Sequence, residues 1–122
     1  MYKISEISAL TGLSVATLRY YEELGLIKPQ RLENNYREFT EKDLDWIAFI
    51  LRAKQAGMSL EVIKKYSDLR EKGDSTIIQR ISLIVEQERI LLAQQEELDS
   101  HIKFLRQKKH HYYELLEQRN HE

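Results

Sequence analysis

From about Ser75 to Gln118 the chain contains neither glycine nor proline, and Glu, Gln, Leu, Arg and Lys dominate it. Glycine costs a helix interior about 1 kcal/mol and proline about 3, so their absence over such a length predicts one uninterrupted helix. A helix of about 44 residues is roughly 65 Å long. Its apolar positions recur at spacings of three and four, which resolves into two heptad series. One reads Ile84, Leu91, Leu98, Leu105, Tyr112, all apolar or aromatic. The other reads Ile81, Glu88, Gln95, Ile102, Lys109, Leu116, and half of it is polar. A single helix of this length cannot bury that stripe by itself, so it needs a partner. The polar members suit an offset or antiparallel pairing better than a uniform zipper. The candidate dimer interface is therefore Ile84, Leu91, Leu98, Ile102, Leu105, Tyr112 and Leu116. Near the start, Ile77, Ile78, Val85 and Leu92 broaden the apolar face. That broadening predicts packing against a neighbouring lobe.

The segment before this helix has a different texture, with all four glycines and the single proline of the chain. Ser5 to Gly12 reads as a short helix with Ser5 as N-cap and Ile7 and Leu10 turned inward. Gly12-Leu13 is a turn, and Ser14 starts a second helix that Gly25 ends through a left-handed conformation. At 100° per residue, Leu18, Tyr21 and Glu22 share one side of that second helix. Ala16 and Tyr20 point the other way, flanked by Thr17 and Arg19. Two short helices joined by a glycine-containing turn form the helix-turn-helix, whose second member enters the major groove. The outward set of Thr17, Arg19 and Tyr20 offers a hydroxyl, a guanidinium and a phenol to phosphate oxygens and base edges. The competing reading of this helix alone is an amphipathic helix with a solvated polar face.

Pro29 forbids helix over 26–39. Asn34-Asn35 supplies a turn between two short extended arms, in the second of which Tyr36 and Glu38 alternate with Arg37 and Phe39. A small basic hairpin after a recognition helix is a wing, placed to lay Arg31, Tyr36 and Arg37 along a phosphate backbone. Thr40 caps a third helix that runs to about Gln55 on a stripe of Leu44, Ile47, Ile50 and Leu51, widened by Trp46 and Phe49. Ser59 caps a fourth through about Lys72, with Leu60, Ile63, Tyr66 and Leu69 inside. Lys54 and Lys64 are further candidates for DNA contact, set against solvated lysines on an exposed face. The free N–H groups after Ser59 are a candidate phosphate site.

Composition excludes more than it selects. Net charge is −1, and acids and bases balance along the chain, so DNA binding must rest on where the basic groups sit. There is no cysteine, which removes disulfides, thiolate metal sites and thiol switches, and fits a cytoplasmic setting. The N-terminal residues lack an apolar signal core, and the longest apolar run, Trp46 to Leu51, falls far short of the ~20 residues that span a bilayer. No enzyme signature is present: no phosphate-cradling glycine loop, no metalloprotease helix and no nucleophilic cysteine. His101, His110, His111 and His121, with Glu114 one turn after His110, suggest metal ligands, yet spacing fixes no third ligand. No metal or cofactor is therefore expected.

Four motifs carry a resemblance: Thr17-Leu-Arg-Tyr-Tyr-Glu22, Gly25-Leu-Ile-Lys-Pro29, Asn35-Tyr-Arg37 and Ala56-Gly-Met-Ser-Leu60. At these spacings over residues 1–72 the chain resembles the MerR family of bacterial transcription regulators, while the helix after them is similar in pattern only. The resemblance implies that Arg19 and Tyr20 contact bases or phosphates and that Tyr36 and Arg37 contact phosphates. It further implies a homodimer joined by an antiparallel coiled coil on a near-palindromic operator within an over-long promoter spacer. Activation would follow from bending and untwisting that DNA, which acts on RNA polymerase indirectly. Metal-sensing relatives use cysteines near the end of the long helix, and drug-sensing relatives append a ligand domain; this sequence has no cysteine, and only a few residues follow the helix. Residues 46–57 are similar to a subgroup that senses aldehydes through a cysteine, but the matching position here is Arg52. An unknown small-molecule effector stays open.

The expected fold is mainly α: a winged helix-turn-helix DNA-binding lobe over 1–74, a long coiled-coil dimerisation helix over 75–118, and a tail over 119–122. The expected function is control of transcription by distorting promoter DNA. The alternatives are an architectural DNA binder without an effector and a coiled-coil adaptor.

Overall fold

The computed structural model describes residues 1–121 and is mainly helical. Its elements are α1 (Ile4–Thr11), α2 (Val15–Glu23), β1 (Gln30–Arg31), β2 (Arg37–Glu38), α3 (Glu41–Gln55), α4 (Leu60–Glu71) and α5 (Ile77–Asn120). A single 3-10 turn, Asp74–Thr76, precedes α5. Two compact units divide between Gln87 and Glu88, so the first turns of α5 belong to the first unit.

Local chemistry sets the helix starts in the first unit. The Ser14 hydroxyl accepts from the Thr17 N–H at 3.0 Å, Thr40 from Asp43 at 3.1 Å, and Ser59 from Val62 at 3.2 Å. Each satisfies one of the amide donors that a helix leaves free at its first turn. The start of α1 departs from expectation. The cap is Lys3, not Ser5, and the Glu6 carboxylate accepts the Lys3 N–H at 3.0 Å. The reason lies in Tyr2, which exchanges both backbone hydrogen bonds with Phe39 at 2.8 Å and so fixes where the helix can begin. Leu10 is also reversed, being 59% exposed. Thr11, four residues after Ile7, takes the inward place instead and donates its hydroxyl to the Ile7 carbonyl at 2.8 Å.

Ile7, Leu18, Phe39, Ile47, Ile50 and Ile63 have no solvent-accessible surface and form the centre of the first unit. Tyr21, Leu26, Ile27, Ala53 and Met58 complete it. Helix α3 thus buries Ile47 and Ile50 as its spacing predicts, while Leu44 and Leu51 are only partly covered. Trp46 stacks on Phe49 and Tyr66 at centroid distances of 5.2 and 6.2 Å. Its indole N–H donates to the Leu26 carbonyl at 2.7 Å, tying the corner after α2 to α3. Among the described residues, no buried side-chain nitrogen or oxygen lacks a hydrogen-bond partner.

The 44 residues of α5 contain no buried side chain. In the first unit Arg80 donates to the Gly73 carbonyl at 3.1 Å and Gln87 to the Ala56 carbonyl at 2.8 Å. Ile84 is 48% exposed there. In the second unit Leu91, Leu98, Ile102, Leu105, Tyr112 and Leu116 are all exposed. Among the described residues, no helix is long and apolar enough to cross a membrane.

Candidate nucleic-acid interface

Helix α2 presents its outward side as the angular spacing requires. Leu18 and Tyr21 are buried, whereas Arg19 and Tyr20 are exposed. Thr17 is half-buried, and its hydroxyl accepts from Ser14 at 2.9 Å, which holds the first turn of the helix. The helix ends at Gly25, whose φ of 76° belongs to the left-handed region that glycine adopts without strain. The chain can then turn through Leu26 and Ile27, both buried, toward the wing.

The wing is a two-stranded antiparallel ribbon in which Gln30 faces Glu38 and Arg31 faces Arg37. Asn35 makes the turn with φ 66°, and the Asn34 side chain accepts from the Tyr36 N–H at 3.1 Å. Tyr36 stands at the tip, 70% exposed. Arg19, Tyr36 and Arg37 border one groove of about 620 Å³, closed on its other side by the chain start from Met1 to Glu6. Arg19 of α2, the wing and the chain start therefore line a single concave surface, while Thr17, Tyr20 and Arg31 lie outside its lining. Arg31 and Arg37 carry a further feature. Both point to Glu22 on α2, at 3.1 Å from Arg31 Nη2 and 2.7 Å from Arg37 Nε, on the same carboxylate oxygen.

Lys54 and Lys64 do not border the groove. Lys54 is exposed in the last turn of α3. Lys64 pairs with Asp68 at 2.6 Å and lies close to Gly25, where an added Cβ would meet its ammonium at 3.3 Å. The Val62 N–H at the start of α4 is taken by Ser59. On α5, His110 lies 2.9 Å from Glu114, and among the described residues no three His, Cys, Asp or Glu side chains gather as a metal site.

Glu22 is the residue at this surface that position along the chain does not reveal. Angular spacing puts it on the inner side of α2 and gives it no role. The available signal was its charge: a carboxylate on the core-facing side of a helix needs a partner, because burial without one is costly.

Comparison with known proteins supplies the identity of this arrangement. A family model described as "MerR HTH family regulatory protein" matches residues 2–69, and a second, "MerR, DNA binding", matches residues 44–111. The chain belongs to the MerR family of transcriptional regulators. It is 37% identical over 90 residues to the HTH-type transcriptional regulator AdhR of Bacillus subtilis, a match covering 73% of this chain and 64% of AdhR. An HTH-type transcriptional regulator of Haemophilus influenzae is 35% identical over 108 residues, covering 88% of this chain and 80% of its own length. Among MerR structures, HiNmlR, a family regulator lacking the sensor domain and bound to promoter DNA, superposes with a TM-score of 0.71 at 35% identity. That match covers 84% of this chain and 78% of HiNmlR. A MerR regulator from Bacillus thuringiensis gives a TM-score of 0.72 at 33% identity, over 88% of this chain and 95% of that one. The groove described above thus lies on a MerR DNA-binding domain, and the chain is a regulator, not an enzyme.

Proposed function

We propose that this MerR regulator acts as a homodimer on a near-palindromic promoter element, with two α5 helices paired antiparallel and each lobe gripping one half-site. The reading rests above all on one observation: Arg19 and Tyr20 are exposed on a helix whose opposite side is packed into the core. On this reading α2 enters the major groove with those two side chains on base edges and phosphates, while Thr17 fixes the first turn. Tyr36, Arg37 and Arg31 follow the phosphate backbone beside that groove, and Lys54 at the end of α3 and Lys64 on α4 add contacts. Support for pairing comes from the exposed stripe Ile84, Leu91, Leu98, Ile102, Leu105, Tyr112 and Leu116, which water would otherwise cover at a cost of about 25 cal/mol per Å². Support for a promoter target comes from HiNmlR, which was captured on promoter DNA. Distortion of a duplex between two half-sites then changes how RNA polymerase meets its promoter without direct contact. The work takes place in the cytoplasm.

The test is competitive binding between a duplex selected by the protein from a random pool and unselected DNA, at several salt concentrations. A regulator prefers the selected duplex and weakens as salt rises, because phosphate contacts release counterions. Arg19→Ala and Tyr20→Ala are each expected to reduce that preference by roughly tenfold or more. If both variants keep the wild-type preference, α2 is not the recognition helix.

A further inference from the structure

The wing cannot hold its own position. Each of its strands has two residues, and an isolated two-stranded ribbon is marginal in water. Of its two directly opposed pairs, Gln30 with Glu38 offers no ion pair, and Arg31 with Arg37 sets like charge against like charge, which drives such strands apart. The structure resolves the conflict with a third residue from another element. Oxygen Oε1 of Glu22 accepts from Arg37 Nε on β2 and from Arg31 Nη2 on β1 at once. Arg31 then carries the connection outward, since its other terminal nitrogen donates to the Asn35 carbonyl at 2.9 Å. Asn35 is the left-handed turn residue, and Tyr36 follows it at the exposed tip. One carboxylate oxygen on the recognition helix is thus linked, through a single guanidinium, to the far end of the wing. The side chains of Glu22 and Arg37 are only 22% and 19% exposed, so water screens this pair less than it would an open surface pair.

We propose that Glu22 is a positioning residue for DNA recognition: it touches no DNA but fixes the height and angle of the wing over α2, and so sets operator selectivity. The inference rests on the DNA-binding reading above. It makes a prediction that simple electrostatics does not, a change in the ratio between duplexes. Removing an acid beside phosphate-facing arginines should strengthen binding to any duplex, whereas releasing the wing should erase the difference between duplexes.

Glu22→Ala is measured with the selected duplex and with unselected DNA. The ratio of the two affinities is expected to fall by roughly tenfold, the scale of one lost base-pair discrimination. Binding to unselected DNA is expected to hold or tighten. Its logarithmic salt slope should steepen by about 1 as a freed arginine finds a phosphate. Glu22→Gln keeps an oxygen that accepts from both arginines, and most of the ratio should return. If Glu22→Ala retains the wild-type ratio while wild type itself discriminates, Glu22 positions nothing and the DNA reading stands. If wild type shows no preference, both readings fall. Should Glu22→Ala fail to fold, Arg31→Ala and Arg37→Ala, singly and together, decide, because both arginines share the Glu22 oxygen. Effects on the ratio that do not multiply independently support the linkage, and independent effects overturn it.

Discussion

Tyr2 shows how much one side chain at the edge of a small lobe can connect. Its backbone pairs with Phe39, and its phenol donates to Glu41 at 2.5 Å. That hydrogen bond to a carboxylate holds the Tyr2 proton more tightly than in a free tyrosine, so its pKa is raised. Burial raises Tyr21 in the same direction, and the ion pair with Glu71 at 2.8 Å raises Lys28. In each case the folded chain binds a proton that the unfolded chain releases at its ordinary pKa. The associated stability is complete below pH ~10 and is lost as pH rises through the folded values. Urea midpoints are therefore expected to stay level up to about pH 9.5 and then fall, with Tyr2→Phe showing a shallower decline. A midpoint that rises over this window would contradict the assignment. At the same scale, the candidate DNA-contact residues differ in how they stand in the fold. Arg19, Tyr20 and Tyr36 reach the surface simply because of where their positions point. Arg31 and Arg37 are oriented by Glu22, a partner nine and fifteen residues away in sequence that no periodicity could indicate.

Among the elements, the boundaries follow short-range chemistry wherever the neighbouring segment does not interfere. Ser14, Thr40 and Ser59 cap α2, α3 and α4 as their sequence context predicts, since a hydroxyl needs only the next turn to find its donor. Ser5 fails in that role because strand pairing at Tyr2 starts α1 earlier. Helix ends behave likewise: Gly12 and Gly25 take left-handed φ values of 79° and 76°. Nothing lies within 4 Å of a Cβ added at Gly12, so Gly12→Ala should cost only the backbone term, about 1–2 kcal/mol. Denaturation with urea reads this directly, and a neutral substitution would show that the turn can adopt another conformation. The wing was legible from Pro29 and the Asn34-Asn35 turn. Its attachment was not, because the carboxylate that joins Arg31 and Arg37 comes from α2 and not from the ribbon itself.

For the molecule as a whole, the largest open question of burial is α5. A long run without glycine or proline and rich in Glu, Gln, Leu, Arg and Lys favours helix, and it is helical from Ile77 to Asn120. Its apolar stripe is left exposed at every heptad position from Ile84 to Tyr112. If a second copy covers that stripe, Leu98→Asp places a charge where leucine was to be buried, and the protein should elute as a monomer on a sizing column. An unchanged dimer would show that the stripe is covered in some other way. Sequence by itself determined what depends on angle and on nearest neighbours along the chain: helix periodicity, capping, the wing turn, the unbroken helix and the outward side of α2. Only the tertiary structure decided what depends on segments distant in sequence meeting in space. It turned Leu10 outward, set the start of α1 by way of Phe39, and drew the wing arginines onto Glu22. The physical reason is that a repeat along the chain fixes the direction in which a side chain points, while its partner is fixed by packing.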